Sequence, residues 1–239
     1  MNFCKWLCTL LTASCLMLQS TAFAAPIVGQ VNDFEDGTTQ GWLINLLNMS
    51  PPPPEALPAN VPTGGPAGAG DNYLRLTSVG GQGPGGRLVA LNLTPLWTGN
   101  YLTSGVGAIT MDVNNLGTTD LFLRLYFENP MMAAPTDEAI TSSVFLPAGS
   151  GWRPVSFLIG PSELTVLSGN VTTLLSNVTS LRIYNGPTPS FPGPGVPAQL
   201  GVDNIRAAAV PEPATMLLVG AGLAGLGRII KRKRQAGLA

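Results

Sequence analysis

The sequence predicts an all-β fold, two antiparallel sheets packed face to face, set between two apolar chain ends. Three observations carry this expectation. Between residues 27 and 207, apolar and polar residues alternate with a period of two in short runs, the mark of half-buried strands. Twenty-four of the 29 Gly and 19 of the 22 Pro punctuate those runs, as expected of turns between strands. Only 162–178, away from the ends, has room for helix, and then for one or two short turns. Roughly nine or ten short strands and no internal repeat point to a β-sandwich rather than a propeller or solenoid, its sheets about 10 Å apart.

In chain order, 27–34 alternates loosely and reaches Asn32-Asp33-Phe34-Glu35-Asp36-Gly37, and Gly41-Trp42 opens a short apolar run to Leu47. Strand, turn, strand is the expectation. Residues 51–70 begin with four prolines and continue as a Pro/Gly/Ala mixture; this composition predicts an extended loop without a ladder. From Asp71, Leu74 and Leu76 alternate with Tyr73, Arg75 and Thr77. Residues 80–86 are a glycine-rich turn, and no helix follows to make it a phosphate cradle. Further strands are expected at 87–93, 109–114 and 121–128. In the last, Leu121, Leu123, Leu125 and Phe127 face the core, and Phe122, Arg124, Tyr126 and Glu128 face away. Strands at 142–146, 152–159 and 179–185 follow, with Leu181 and Ile183 inward. A second Pro/Gly loop covers 186–197, and 200–207 closes the domain as a strand.

Charge and residue identity exclude whole classes of chemistry. The 239 residues contain no His, and the three Cys fall at positions 4, 8 and 15. The region between the ends therefore has no disulfide, thiol nucleophile, Cys/His zinc site or His-based triad. That region holds six Arg, no Lys and twelve of the thirteen acids, a net of minus six. It lacks the basic footprint of a nucleic-acid binder, so no nucleic-acid partner is expected.

The two ends read as addresses. Residues 1–24 have Lys5, an apolar stretch from Trp6 to Leu18, and Ala22-Phe23-Ala24 as a small-x-small cleavage site, a signal helix for the secretion machinery. The competing reading is lipoprotein processing at Cys15, after Thr12-Ala13-Ser14. At the other end, Val210-Pro211-Glu212-Pro213 precedes an apolar run, Ala214 to Ile230. This is seventeen residues, about 25 Å as a helix, at the short limit for a single transmembrane helix. Arg228, Lys231, Arg232, Lys233 and Arg234 form a basic stop that keeps the C-terminus cytoplasmic. Motif, span, basic stop and signal peptide together resemble the PEP-CTERM protein-sorting signal of Gram-negative bacteria. The resemblance implies recognition by an exosortase through Pro211, Glu212 and Pro213, removal of the tail, and transient inner-membrane anchoring. It also implies association with exopolysaccharide or biofilm matrix at the cell surface. The expected division is 1–24 signal peptide, 25–209 sandwich, 210–239 sorting signal.

Within the body, Phe34-Glu35, Gly41 and Trp42 near the start and Val202-Asp203-Asn204-Ile205 near the end resemble jelly-roll carbohydrate-binding modules. This makes a jelly-roll-like antiparallel β-sandwich the expected fold. The resemblance implies a structural calcium shared by Glu35 and Asp203, a use suited to hard carboxylate oxygens, with Asp71 adding a carbonyl. Among the aromatic residues Trp42, Trp97, Tyr101, Tyr126, Trp152 and Tyr184, those out of phase with the core, Tyr126 and Tyr184, and also Trp152, are the expected sugar-stacking surface. A glycosidase would need two facing carboxylates. Asp33, Glu35 and Asp36 crowd one turn and Asp137-Glu138 lies in an expected loop, so no catalytic residue is assigned. The functional expectation is an exported, non-enzymatic protein that binds polysaccharide. A purely structural matrix protein and a polysaccharide-acting enzyme are the alternatives.

Overall fold

The computed structural model describes residues 25–44, 51–131, 134 and 136–209. The expected signal helix (1–24), the sorting motif Pro211, Glu212 and Pro213, the span 214–230 and the basic residues Arg228, Lys231, Arg232, Lys233 and Arg234 lie outside them. Among the described residues no helix is long and apolar enough to cross a membrane.

Among the described residues, thirteen strands form two sheets. They are β1 (Val31–Asn32), β2 (Trp42–Ile44), β3 (Ala59–Val61), β4 (Tyr73–Val79), β5 (Val89–Asn92), β6 (Val106–Asn115) and β7 (Leu121–Asn129). Then come β8 (Asp137–Ile140), β9 (Val144–Leu146), β10 (Arg153–Leu158), β11 (Thr165–Ser168), β12 (Ser180–Asn185) and β13 (Pro197–Ala209). The six-stranded sheet runs β10-β6-β13-β4-β3, with β1 also on β13. The seven-stranded sheet runs β11-β8-β7-β12-β5-β2, with β9 also on β7. Every pairing is antiparallel, and the expected two-sheet sandwich is observed.

Alternation built the core as expected. Leu74 and Leu76, Ile109, Met111 and Val113, Leu121, Leu123, Leu125 and Phe127, Leu181 and Ile183, and Leu200 and Val202 meet between the sheets. Local departures have clear causes. Residues 51–70 are not free of ladder: β3 pairs with β4, because three residues between Pro58 and Pro62 suffice at a sheet edge, where a missing N–H goes unnoticed. Asp137 and Glu138 belong to β8 rather than to a loop. Residues 162–178 split into β11 and one short helix, α1 (Val171–Ser176), whose Asn170 side chain accepts from Thr172 N and Thr173 N at 2.8 and 3.0 Å, an N-cap. The first strand shrinks to two residues, bracketed by positive φ at Gly29 (93°) and Phe34 (58°).

Trp42 and Trp97 are buried in the core at 1% and 0% exposure, as is Tyr101, so none of the three is a surface ring. Both indole N–H groups donate to one oxygen, Asn32 Oδ1, at 3.1 and 2.7 Å. Asn32 is itself buried and belongs to the six-stranded sheet, whereas Trp42 belongs to the seven-stranded one. Asn32→Ala leaves two buried donors without a partner, at about 1–3 kcal/mol each. Urea unfolding of residues 25–209 should show a loss of at least about 2 kcal/mol. A loss within the ordinary surface range of about 0.5 kcal/mol would contradict this linkage.

Candidate functional site

Two polar sites lie on opposite outward faces of the sandwich. The first surrounds Asp203 on β13. The strand pairs with β4 up to Val202 and with β1 from Ile205 onward. Its register against β6 shifts between Asp203 and Arg206, at Asn204, which has φ 50°. Asp203 is buried there. Its carboxylate accepts Asn204 N at 2.6 Å and Asn204 Nδ2 at 3.1 Å, and the same amide donates to Asp112 Oδ2 at 3.0 Å. The turn after β1 comes close by: Glu35 Oε1 accepts Asn72 N at 2.9 Å, and the Phe34 carbonyl accepts Asn60 Nδ2 and Asn72 Nδ2 at 2.7 and 3.2 Å. Burial, opposed by the Asn204 N–H and reinforced by the charges of Asp71, Asp112 and Glu35, pushes the Asp203 carboxyl up to about 7.

Glu35 is thus near enough for its charge to act on Asp203, though its effect is smaller than that of burial. The donors are hard oxygens of the kind calcium takes, and among the described residues the one ion pair is Arg182–Glu128, so no arginine neutralises Asp203 directly. No three acidic side chains among the described residues converge closely enough to enclose a cation as they stand.

The second site is the outward face of the seven-stranded sheet. Register aligns Ile140, Tyr126, Arg182, Leu91 and Leu43 in one row across five strands. Tyr126 and Tyr184 face away from the core as expected, yet they are not exposed: they retain 2% and 0% of their surface. The Pro/Gly strap of 186–196 crosses above them. Its Phe191 ring stacks on Tyr126 at 4.0 Å and 20°, and meets Tyr184 edge-on at 5.4 Å. The Arg182 guanidinium lies 5.1 Å from the Tyr126 ring and 5.5 Å from that of Phe191. Tyr184 Oη donates to Ser190 O at 3.1 Å, Arg87 Nε to Gly193 O at 2.9 Å, and Ser78 Oγ to Val196 O at 2.6 Å, holding the strap down.

Beneath it, Arg182 Nη1 donates to Glu128 Oε2 at 2.6 Å and to Ser180 Oγ at 2.8 Å, and Ser180 Oγ donates to Glu128 Oε2 at 3.0 Å. Arg182 Nε is buried without a partner, an unusual state for a guanidinium N–H. Burial, then the charges of Glu128 and Glu138, raises the Tyr126 hydroxyl far above its ordinary value. Burial pushes the Tyr184 hydroxyl up to about 12. Both phenols therefore stay protonated and able to donate.

Trp152 does not join them. It lies on the outward face of the six-stranded sheet, half-buried, edge-on to Tyr73 at 5.3 Å, with Nε1 donating to Gly64 O at 2.8 Å. Gly201 makes room for it, since a Cβ there would stand 2.9 Å from the indole. Arg182 and Phe191 escaped the sequence reading. Arg182 shares the out-of-phase alternation that marked Tyr184, and Phe191 is the single aromatic ring among the Pro, Gly and Ser of its loop.

The family model of the PEP-CTERM protein-sorting motif matches residues 209–233. The chain carries a PEP-CTERM sorting signal. That signal indicates a secreted, exosortase-processed protein, bound to the membrane transiently. No curated protein sequence matches the chain. Solved structures with the same fold include a family 11 carbohydrate-binding module of Clostridium thermocellum in complex with a β-1,3-1,4-mixed-linked tetrasaccharide. It is 13% identical with a TM-score of 0.50, over 79% of this chain and 100% of the other. The family 11 module of the cellulosomal cellulase Lic26A-Cel5E of the same organism gives 12%, 0.50, 77% and 96%. An exo-β-agarase gives 11% and 0.52 over 77% of this chain but 26% of its own. At these identities the likeness is one of fold.

The Asp203 environment sets a pH dependence. An acid whose folded value, about 7, exceeds its ordinary 3.8 binds its proton more tightly when folded. In chelator, its contribution to stability therefore falls as pH rises from about 4 to about 7 and then levels off. Melting temperatures of residues 25–209 across this window should decline more steeply than those of Asp203→Asn. Identical slopes would contradict the raised value.

Proposed function

We propose that the chain is an exported, non-catalytic carbohydrate-binding protein of a Gram-negative bacterium, whose signal peptide (1–24) and sorting tail (210–239) are removed. The working part is then the acidic, cysteine-free body, 25–209, held in exopolysaccharide or biofilm matrix at the cell surface. The observation that carries this reading is the Tyr126–Phe191 stack. A pyranose presents an apolar C–H face rimmed with hydroxyls. The outward face of the seven-stranded sheet offers the matching pieces: the flat Tyr126 ring, the edge of Tyr184, an unengaged Arg182 N–H and the Glu138 carboxylate. Phe191 occupies the place a sugar ring would take. Sugar therefore enters as the strap lifts, and the Arg182–Glu128 pair keeps the platform in place. The fold shared with carbohydrate-binding modules supports the reading, and no catalytic family matches the body. The closed strap favours a second reading, a structural matrix component that takes no small ligand.

Affinity electrophoresis of residues 25–209 through gels containing mixed-linked β-glucan, agarose, xylan or the host's exopolysaccharide separates the two. Retardation by at least one polysaccharide is expected, and Tyr126→Ala should abolish it. Phe191→Ala should strengthen it about two- to tenfold, by removing a ring pair worth about 0.5–1.5 kcal/mol. Free migration of both the unsubstituted body and Phe191→Ala in every gel would leave the structural reading.

Glu35 and Asp203 would hold a structural calcium, with Asp71 and Asp112 adding negative charge around it. The ion would replace proton binding as the means of neutralising Asp203, joining the turn after β1 to β13. Chelator at pH 8 should then lower the melting temperature, and Asp203→Ala should remove the response. An unchanged melting temperature in chelator would exclude the ion.

A further inference from the structure

Both chain ends leave the sandwich at the same place, and that place is apolar. Gly29 N donates to Ala207 O at 2.8 Å and Ala207 N to Gln30 O at 3.1 Å, so the entering and leaving segments run side by side. The last residue of β13, Ala209, pairs with Val106. Around this point Ile27, Val28, Leu96 and Leu102 are 68%, 44%, 42% and 42% exposed. They are neighbours. The Gln30 side chain bonds both Ile27 N and the Leu96 carbonyl. Val28 Cγ2 stands 3.7 Å from where a Gly105 Cβ would be. Leu102 and Gly105 line one recess with Val106, Ile159 and Pro161. Lys and Arg are absent from 25–30, 93–106, 159–164 and 207–209, and Arg206, paired with Val31, is the one basic residue beside them on β13.

We propose that this end is a membrane-facing surface that rests on the bilayer interface while the tail is still attached. The proposal rests on reading 214–230 as the membrane-inserted segment. Only residues 210–213 separate Ala209 from that segment. At no more than about 3.6 Å per residue they reach less than about 20 Å, so an intact tail holds this end, and no other, against the lipid. Exposed aliphatic side chains then partition into the interface. A tether this short gives weak partitioning the advantage of a high local concentration. Cleavage of the tail removes that advantage, so the same contact that seats the precursor beside its membrane-embedded protease does not retain the product. With Arg206 the one exposed basic side chain of the leaving strand near this end, the attraction is mainly apolar and needs no anionic lipid.

The test uses the full chain with Cys4, Cys8 and Cys15 replaced by Ser, reconstituted into phosphatidylcholine vesicles containing a shallow nitroxide lipid. One environment-sensitive fluorophore is attached at Leu102→Cys, or at Val79→Cys. Val79 is a matched control: it is 41% exposed and pairs with Pro197 at the far end of β13. The expected result is blue-shifted, quenched emission at position 102 and water-like, unquenched emission at 79, unaltered by 0.5 M salt, a concentration of about this order being enough to screen surface charge. Water-like emission at both positions in vesicle-bound chain would overturn the membrane-facing surface and leave the tail reading intact. A chain that does not float with the vesicles would overturn the tail reading, and this proposal with it.

Discussion

A single side-chain oxygen, Asn32 Oδ1, joins the two sheets by accepting the indole N–H groups of Trp42 and Trp97. Much else is positioned by that arrangement. It fixes β1 beside the second half of β13 and β2 at the edge of the opposite sheet. The chain between them must therefore turn from one sheet to the other at once. Phe34 takes up the turn with a positive φ while its ring enters the core, and its carbonyl is held by the Asn60 and Asn72 amides. The turn delivers Glu35 to the junction where β13 changes partner from β4 to β1, which is where Asp203 is buried. A polar knot in an otherwise apolar core thus places the acidic site on the surface above it. Such a knot is stable because both indole donors in it are satisfied.

The seven-stranded sheet obeys a different logic. Its outward side carries a buried ion pair, which is costly to desolvate and costly to break. Glu128 and Ser180 share the Arg182 guanidinium, and Tyr126 and Phe191 lie over it. Yet one N–H of that guanidinium stays unpaired under the strap. The strap is held by a few hydrogen bonds to carbonyls and one ring stack, and its prolines and glycines offer little ladder of their own. The face thus leaves one buried donor for the proposed hydroxyl-bearing ligand to satisfy.

Much of this was readable from residues alone. The strands with clean alternation, such as Leu121 to Glu128 and Leu74 to Thr77, fell on the expected faces, because a one-residue slip would expose every Leu. The outward phase of Tyr126 and Tyr184 was likewise correct. Their burial was not foreseen, since phase reports the side of a sheet and not what a distant loop lays over it. Short strands gave little signal: β3, at a sheet edge, sits between prolines, and β8, inside its sheet, begins with two acids. Glu35 and Asp203 are 168 positions apart in the chain, and only a family likeness linked them before the register of β13 brought them together. The separation of Trp152 from the two tyrosines depends on strand order, which alternation does not encode.

The central claim is that the platform formed by Tyr126, Tyr184 and Arg182 takes a sugar in the place that Phe191 fills. The chain has four tyrosines, at 73, 101, 126 and 184, so selective tyrosine and phenylalanine labelling gives a sparse, assignable ring spectrum. Nuclear Overhauser effects measured during titration of residues 25–209 with a retained oligosaccharide decide the matter. The account predicts new contacts from sugar C–H protons to the Tyr126 and Tyr184 rings and loss of those between Phe191 and Tyr126. Sugar contacts elsewhere, with the Phe191–Tyr126 contacts undiminished at saturation, would contradict it.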